Sequence, residues 1–206
     1  MNGAGQGAAQ GAVDGRSARR ERNSDSVLEA AHSLFVEQQG VPSVEEVAAR
    51  AGVSLRSVYR YFPDTRQLMT AAVERRTRAV EQDWHLPKLG EGTLEDRVGR
   101  FVDHRLFLYE KSGDTIRAAF ALAGKEPAIA VQVERRRDQL AVQTQEHFGR
   151  ETDAMAPVAA HAALACIEAL GQFESVELLR GRMGMSQERA REVLVAGVSA
   201  LLRLPS

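Results

Sequence analysis

The chain of 206 residues has room for one medium domain or two small ones, with enough length for a real hydrophobic core. Hydrophobic residues make up 44% but aromatics only 5%, and the abundance of Ala, Arg, Glu and Leu favours helices over a sheet. A net charge of −1 excludes bulk attraction to nucleic acid, and the single cysteine, Cys166, excludes an intrachain disulfide and a cysteine-built zinc site.

Charge is unevenly spread. Residues 16–80 carry eleven arginines against eight acids, about +3, which leaves the remainder at about −4. Such an asymmetry permits an N-terminal nucleic-acid surface. No apolar run approaches the ~18 residues of a membrane span, and the opening MNGAGQGAAQGAVDG lacks the apolar core of a signal peptide. With a lone thiol that suits a reducing compartment, the expected location is the cytoplasm.

In chain order, residues 1–15 are mostly Gly, Ala and Gln, too poor in large side chains to offset ordering entropy. With the basic RSARRERN that follows, they predict a disordered tail over 1–23. The arginines at 16, 19, 20 and 22 read either as a DNA-contacting arm or as a solvated tail. Ser26 and Glu29 have capping-box spacing and predict a helix over about 24–38, with Val27, Leu28, Ala31, Leu34 and Phe35 on its apolar face. Gly40-Val41-Pro42 ends it. A second box, Ser43 to Glu46, opens a short helix to Ala51, and Gly52-Val53-Ser54 turns into a third helix at about 55–61. Pro63-Asp64 stops that one, and Asp64 caps a fourth helix reaching about Trp84. Beyond the linker, helices are predicted at 94–111, 114–123, 127–149, 157–179 and 187–203. No strand pattern occurs, so the expected fold is all-α with about nine helices.

A helix-turn-helix needs two short helices at a steep angle, locked by small and branched apolar residues about a glycine turn. Val47, Ala51, Val53, Val58 and Tyr61 supply inward positions, Ala48 permits close approach, and Gly52 suits a positive φ. The run SVEEVAARAGVSLRSVYRYFPDTRQL resembles the signature of TetR-family (tetracycline-repressor) regulators, over residues 26–75 or so. That family commonly has lysine where Thr65 stands and often glycine where Arg56 stands.

The resemblance implies a DNA-binding domain over 24–84, with the helix-turn-helix at about 43–62, and a regulatory and dimerisation domain over 93–206. It implies a homodimer, a double-stranded DNA operator and an unknown small-molecule effector as partners, with no membrane. Ser54, Leu55, Arg56, Ser57 and Arg60 fall where side chains enter the major groove; Arg suits guanine and Leu a thymine methyl. Ser43, Tyr59, Tyr61 and Thr65 match phosphate-contacting positions, which set register. Packing against the first helix is the competing reading for both tyrosines.

Between Val158 and Phe173 the strongly polar residues are His161, Glu168 and Gln172, on one stripe. They read as ligand donors or as an ordinary solvent-facing stripe. Arg105 interrupts the stripe Leu94, Val98, Phe101, Leu108; it is either buried against Glu168 or an anionic effector, or snorkels from the edge. Phe101 joins Arg105 as a candidate ligand contact. Trp84 reads as a packing anchor and Cys166 as a small buried hydrophobe. The expected dimer interface is built by the two C-terminal helices, at 157–179 and 187–203, with Val193, Leu194, Gly197, Val198 and Leu201, continued by Leu202, as its apolar side.

The five histidines are scattered, and neither a phosphate loop nor a nucleophile elbow occurs, so no catalytic residue, metal site or cofactor is expected. Three readings stay open. One is a repressor released from a palindromic operator when an effector moves the fourth helix and spreads the recognition helices. Another is a constitutive or activating regulator without an effector. The third is a helical enzyme with a vestigial helix-turn-helix.

Overall fold

A computed structural model describes residues 6–203, with side chains from residue 20 onward except that of Thr77. Among the described residues the fold is all-α. The helices are α1 (Gln6–Gln38), α2 (Val44–Ala51), α3 (Leu55–Tyr61), α4 (Thr65–Ala79), α5 (Leu94–Ala123), α6 (Pro127–Thr152), α7 (Pro157–Gly171), α8 (Phe173–Glu177) and α9 (Gln187–Leu201). A 3-10 turn spans Glu81–Trp84 and a π-helical turn Leu178–Arg182. The chain parts after Ala79 into two units.

In the first unit α1 packs against α2, α3 and α4, and Val27, Ala31 and Phe35 of α1, Val47 of α2, Val58 of α3 and Leu68 of α4 have almost no solvent exposure. Burying each of the larger side chains contributes roughly 1.5–3 kcal/mol. Ion pairs tie the edges: Arg75 of α4 reaches Asp25 at 3.2 Å and Glu29 at 2.9 Å, and Arg50 of α2 grips Glu37 of α1 at 2.8 Å.

The start of α1 departs from expectation. Ser26 does not cap; its hydroxyl donates to the Arg22 carbonyl oxygen at 3.0 Å inside a continuous helix. The helix runs back to Gln6 through residues expected to be disordered, because Ala, Gln and Arg are good helix formers despite the interspersed glycines. Residues 1–5 of the predicted tail lie outside the described residues. The stop is Gln39, which takes the left-handed φ of 48° ahead of Gly40 and Pro42.

The second unit wraps α6, α7, α8 and α9 around α5. Val98, Phe101, Val102 and Leu106 of α5 pack with Phe148, Ile167, Val176, Leu194 and Val198. A smaller cluster joins Val80, Trp84, Leu108 and Leu140. The linker before α5 is held through its backbone: the Leu86 amide donates to Gln143 Oε1 at 2.6 Å, and Gln143 Nε2 donates to the Trp84 carbonyl oxygen at 2.9 Å.

Three helix boundaries differ from expectation. The segments at 94–111 and 114–123 are one helix that runs on through the buried Ser112 and Gly113; a Cβ at Gly113 would lie 3.5 Å from Arg117 Nη2 and 3.7 Å from the Phe173 ring. The helix expected over 157–179 ends at Gly171, and Gln172 is extended (ψ 154°). The fourth helix stops at Ala79 rather than running to Trp84.

Candidate nucleic-acid interface

The site begins with two capping serines. Ser43 Oγ accepts the Glu46 amide at 3.2 Å, and Glu46 Oε2 accepts the Ser43 amide at 2.8 Å and its hydroxyl at 2.7 Å. These Ser43 donors, the backbone amide foremost, hold the Glu46 carboxyl below the usual carboxylate range. Gly52 ends α2 with φ 65°, and the Val53 amide reaches back to the Ala48 carbonyl oxygen at 3.1 Å. Ser54 then caps α3, accepting the Ser57 amide at 3.2 Å, while the two hydroxyls pair at 2.9 Å. Two turns of helix are thus fixed in direction by groups that leave α3's outer surface free.

Val58 anchors α3 from beneath and is fully buried. Leu55, Arg56, Tyr59 and Arg60 face solvent, Leu55 with 38% and Tyr59 with 46% of their surface exposed. An exposed leucine and tyrosine on a seven-residue helix offer one apolar and one hydroxyl contact beside two cations. Tyr61 is half-buried; its hydroxyl accepts from Arg60 Nη2 at 2.9 Å, and the guanidinium lies 5.0 Å from its ring centre. Asp64 caps α4 by accepting the Gln67 amide at 2.8 Å, which leaves half-buried Thr65 in its first turn. Ser43, Ser54 and Ser57 have hydroxyls engaged in caps, so their outward capacity is what remains after those bonds. Arg20 and Arg22 of the basic stretch lie exposed on α1, whereas the side chains of Arg16 and Arg19 lie outside the described residues.

In the second unit, four of the five candidate ligand residues come together. Arg105 does not snorkel; it is 4% exposed, its guanidinium 4.6 Å from the Phe101 ring centre. Nη2 donates to the Leu140 carbonyl oxygen and to Thr144 Oγ1, both at 3.2 Å. Thr144 Oγ1 lies 3.0 Å from Glu168 Oε2, and Gln172 Nε2 donates to Glu168 Oε1. His161 stands apart, exposed two turns earlier on α7. Thr144 was missed because a threonine inside a helix carries no signal of its own until its neighbour across the core is known.

The candidate dimer residues divide. Leu194 (2% exposed) and Val198 (0%) turn into the core of their own unit, with Leu202. Gly197 faces Leu170 of α7: a Cβ there would sit 3.2 Å from Leu170 Cδ1. Leu201 is half-buried and Val193 exposed. The reason is period: the apolar stripe of α9 is just wide enough for α5 and α7. Exposed on these two helices are Val158, Ala162, Ala165, Cys166 and Ala169 of α7 with Val193, Ala196 and Ala200 of α9. Cys166 is therefore not the buried hydrophobe expected.

Among the described residues no group of acidic, His or Cys side chains is arranged to hold a metal ion, and no helix is long and apolar enough to cross a membrane.

Comparison with known proteins agrees with this geometry. The family model of bacterial regulatory proteins, tetR family, matches residues 27–72, which run from the core of α1 into α4. An uncharacterized HTH-type transcriptional regulator of Mycobacterium tuberculosis (strain H37Rv), Rv1255c, is 39% identical over 73 residues, 34% of this chain and 36% of that protein. The chain thus spans about a third of the length of the curated relatives it matches. The fold recurs in a tetR-family transcriptional regulator from Streptomyces coelicolor (TM-score 0.65, 22% identity, covering 88% of this chain and 80% of that one). It recurs also in a transcriptional regulator from Pseudomonas aeruginosa PAO1 (0.67, 18%, 88% and 91%) and in the flavonoid-responsive regulator FrrA (0.62, 24%, 89% and 96%). The capped helix-turn-helix thus lies within the stretch, residues 27–72, that matches the model of bacterial regulatory proteins, tetR family, and the all-α fold is that of solved transcriptional regulators.

Proposed function

We propose that the protein is a homodimeric repressor that holds a palindromic operator through α3 and lets go when a small-molecule effector occupies its second unit. The observation that carries the DNA half is α3 itself. Val58 roots it in the core while Leu55, Arg56, Tyr59 and Arg60 stand exposed together. Arg56 and Arg60 supply bidentate donors for guanine, and Leu55 an apolar contact for a thymine methyl. Ser43, Tyr59, Tyr61 and Thr65 supply hydroxyls for phosphates, which set register without reading sequence.

A single seven-residue helix covers only a few base pairs, so specificity requires a second copy. The exposed face of Ala162, Ala165, Cys166 and Ala169 with Val193, Ala196 and Ala200 suits that role. Its small side chains let two helix pairs approach closely, and it complements itself about a two-fold axis. The effector half is supported by the buried Arg105 network and by the shared fold of the flavonoid-responsive regulator FrrA. The test is footprinting of the DNA upstream of the protein's own gene. Protection of an inverted repeat, with half-sites about one helical turn apart, is the expected result. Uniform protection along the fragment contradicts the proposal.

A further inference from the structure

We propose that Arg105 anchors a small organic carboxylate, held through its Nη1 amino group at the inner end of the Arg105–Thr144–Glu168–Gln172 chain. The inference rests on the reading of the second unit as an effector-taking one, and it names the chemical class.

The guanidinium is buried, yet its hydrogen bonds are lopsided. Nη2 serves the Leu140 carbonyl oxygen and Thr144, the guanidinium carbon lies over the Phe101 ring, and Nη1 is buried without any acceptor. Nor does a carboxylate lie within ion-pair distance of it among the described residues. Glu168 is the charge nearest in effect, but its two oxygens are engaged by Thr144 and Gln172. Burial draws the Arg105 pKa down to about 10 against the opposing influence of Glu168. At neutral pH the group remains a cation, in a setting where an unpaired charge is costly and a matching anion correspondingly stabilising.

Two features select an organic carboxylate. Acceptors that satisfy Nη1 must be planar enough to lie alongside a guanidinium already over the Phe101 ring, as a carboxylate is. The surroundings, Phe101 with Phe148 at 5.4 Å between ring centres, are apolar and suit a hydrocarbon body rather than a hydrated inorganic ion. Glu168 and Gln172 are half-buried, whereas Arg105 and Thr144 are buried, so the chain of hydrogen bonds leads inward from the surface. It ends at Gln172, where the helix breaks between α7 and α8. A ligand that draws Arg105 toward itself loosens its hold on Thr144 and Glu168 and so acts directly on that break.

The test uses the full chain and four carboxylates of increasing body size, acetate, benzoate, 2-naphthoate and decanoate, each against its neutral amide. Thermal unfolding and calorimetric titration give the readout. At least one carboxylate is expected to raise Tm in a dose-dependent way while its amide does not. Arg105→Met weakens that carboxylate at least tenfold, and Glu168→Gln, which removes a competing negative charge, tightens it several-fold. Equal effects of acid and amide, no response to any of the four, or an unchanged affinity in Arg105→Met overturns the proposal. Should Arg105→Met fail to fold, the acid–amide comparison and Glu168→Gln still decide. Operator binding is measured in parallel. A carboxylate that binds through Arg105 without changing operator affinity keeps the site and contradicts the release mechanism. Loss of operator binding in the untreated wild type contradicts the proposed function instead.

Discussion

Nδ1 of His147 accepts the amide hydrogen of Gly90 at 3.0 Å, which assigns the ring proton to Nε2, and Nε2 donates to the Arg97 carbonyl oxygen at 3.0 Å. The ring is buried and neutral, and one imidazole thereby pins the linker before α5 to α6. A second proton on Nδ1 would face the Gly90 N–H and break that link.

Acid should therefore loosen the second unit at a pH above that of ordinary carboxylate titration. Burial lowers the His147 pKa, and burial lowers that of His104, whose Nε2 lies 2.9 Å from the Asp83 carbonyl oxygen, to about 4. The unfolded chain takes up these protons first, so stability is complete above pH 6.5 and falls as the pH drops toward 4. His32 adds a shift of the same sign in the first unit, again mainly through burial. Urea midpoints between pH 7.5 and 4.5 should fall, and His104→Gln should flatten the slope. An identical slope in that variant contradicts the assignment.

Gly171 packs closely against the side chains of α5. A Cβ there would lie 2.8 Å from Phe101 Cζ and 3.2 Å from Arg105 Nε. Gly171→Ala should cost about 1–3 kcal/mol by overpacking, read as a lower urea midpoint at unchanged slope. The same exchange at Gly124, where a Cβ meets nothing within 4 Å, is the control and should not destabilise.

On α3, Arg60→Ala should cost ~1–3 kcal/mol of operator binding and relax preference at one base position. Tyr59→Phe removes one hydroxyl and should weaken all sequences alike. Anisotropy titrations against the operator and single-base variants separate the two patterns. If neither change alters binding, α3 does not lie in the groove.

For the dimer, Ala165→Glu places a charge on an exposed position and should yield a folded monomer with sequence-specific binding lost. Leu194→Ala acts differently, because Leu194 is 2% exposed within its own core. It should cost ~2–5 kcal/mol of stability without a selective effect on association. Light scattering with circular dichroism distinguishes the outcomes, and a dimeric Ala165→Glu protein contradicts the proposed face.

Much of the first unit was legible in the sequence because its signals are local. Ser43 with Glu46, Gly52, Ser54 and Asp64 each fix a helix end through bonds spanning three or four residues. Ser26 had the same spacing and misled, since the helix upstream supplied the Arg22 carbonyl as an alternative partner. In the second unit the deciding contacts are distant in sequence. Ser112 and Gly113 fell between two expected helices, yet both are buried within one, and the Phe173 ring beside Gly113 comes sixty residues later. The apolar stripe of α9 suggested a partner subunit, but α5 and α7 of the same chain take it up, leaving the small residues of α7 outside. Arg105 was visible as an anomaly, whereas its burial and its link to Thr144 depend on how α5 meets α6.

Whether a dimer reads DNA sequence through α3 is decided by selection from a pool of randomised duplexes, followed by mass measurement of the selected complex. Enrichment of one inverted repeat bound by an even number of protomers is expected, and it should be lost when Arg56 and Arg60 are both changed to Ala. Recovery of no preferred sequence, or of a non-repeated site bound by a single protomer, would contradict this reading.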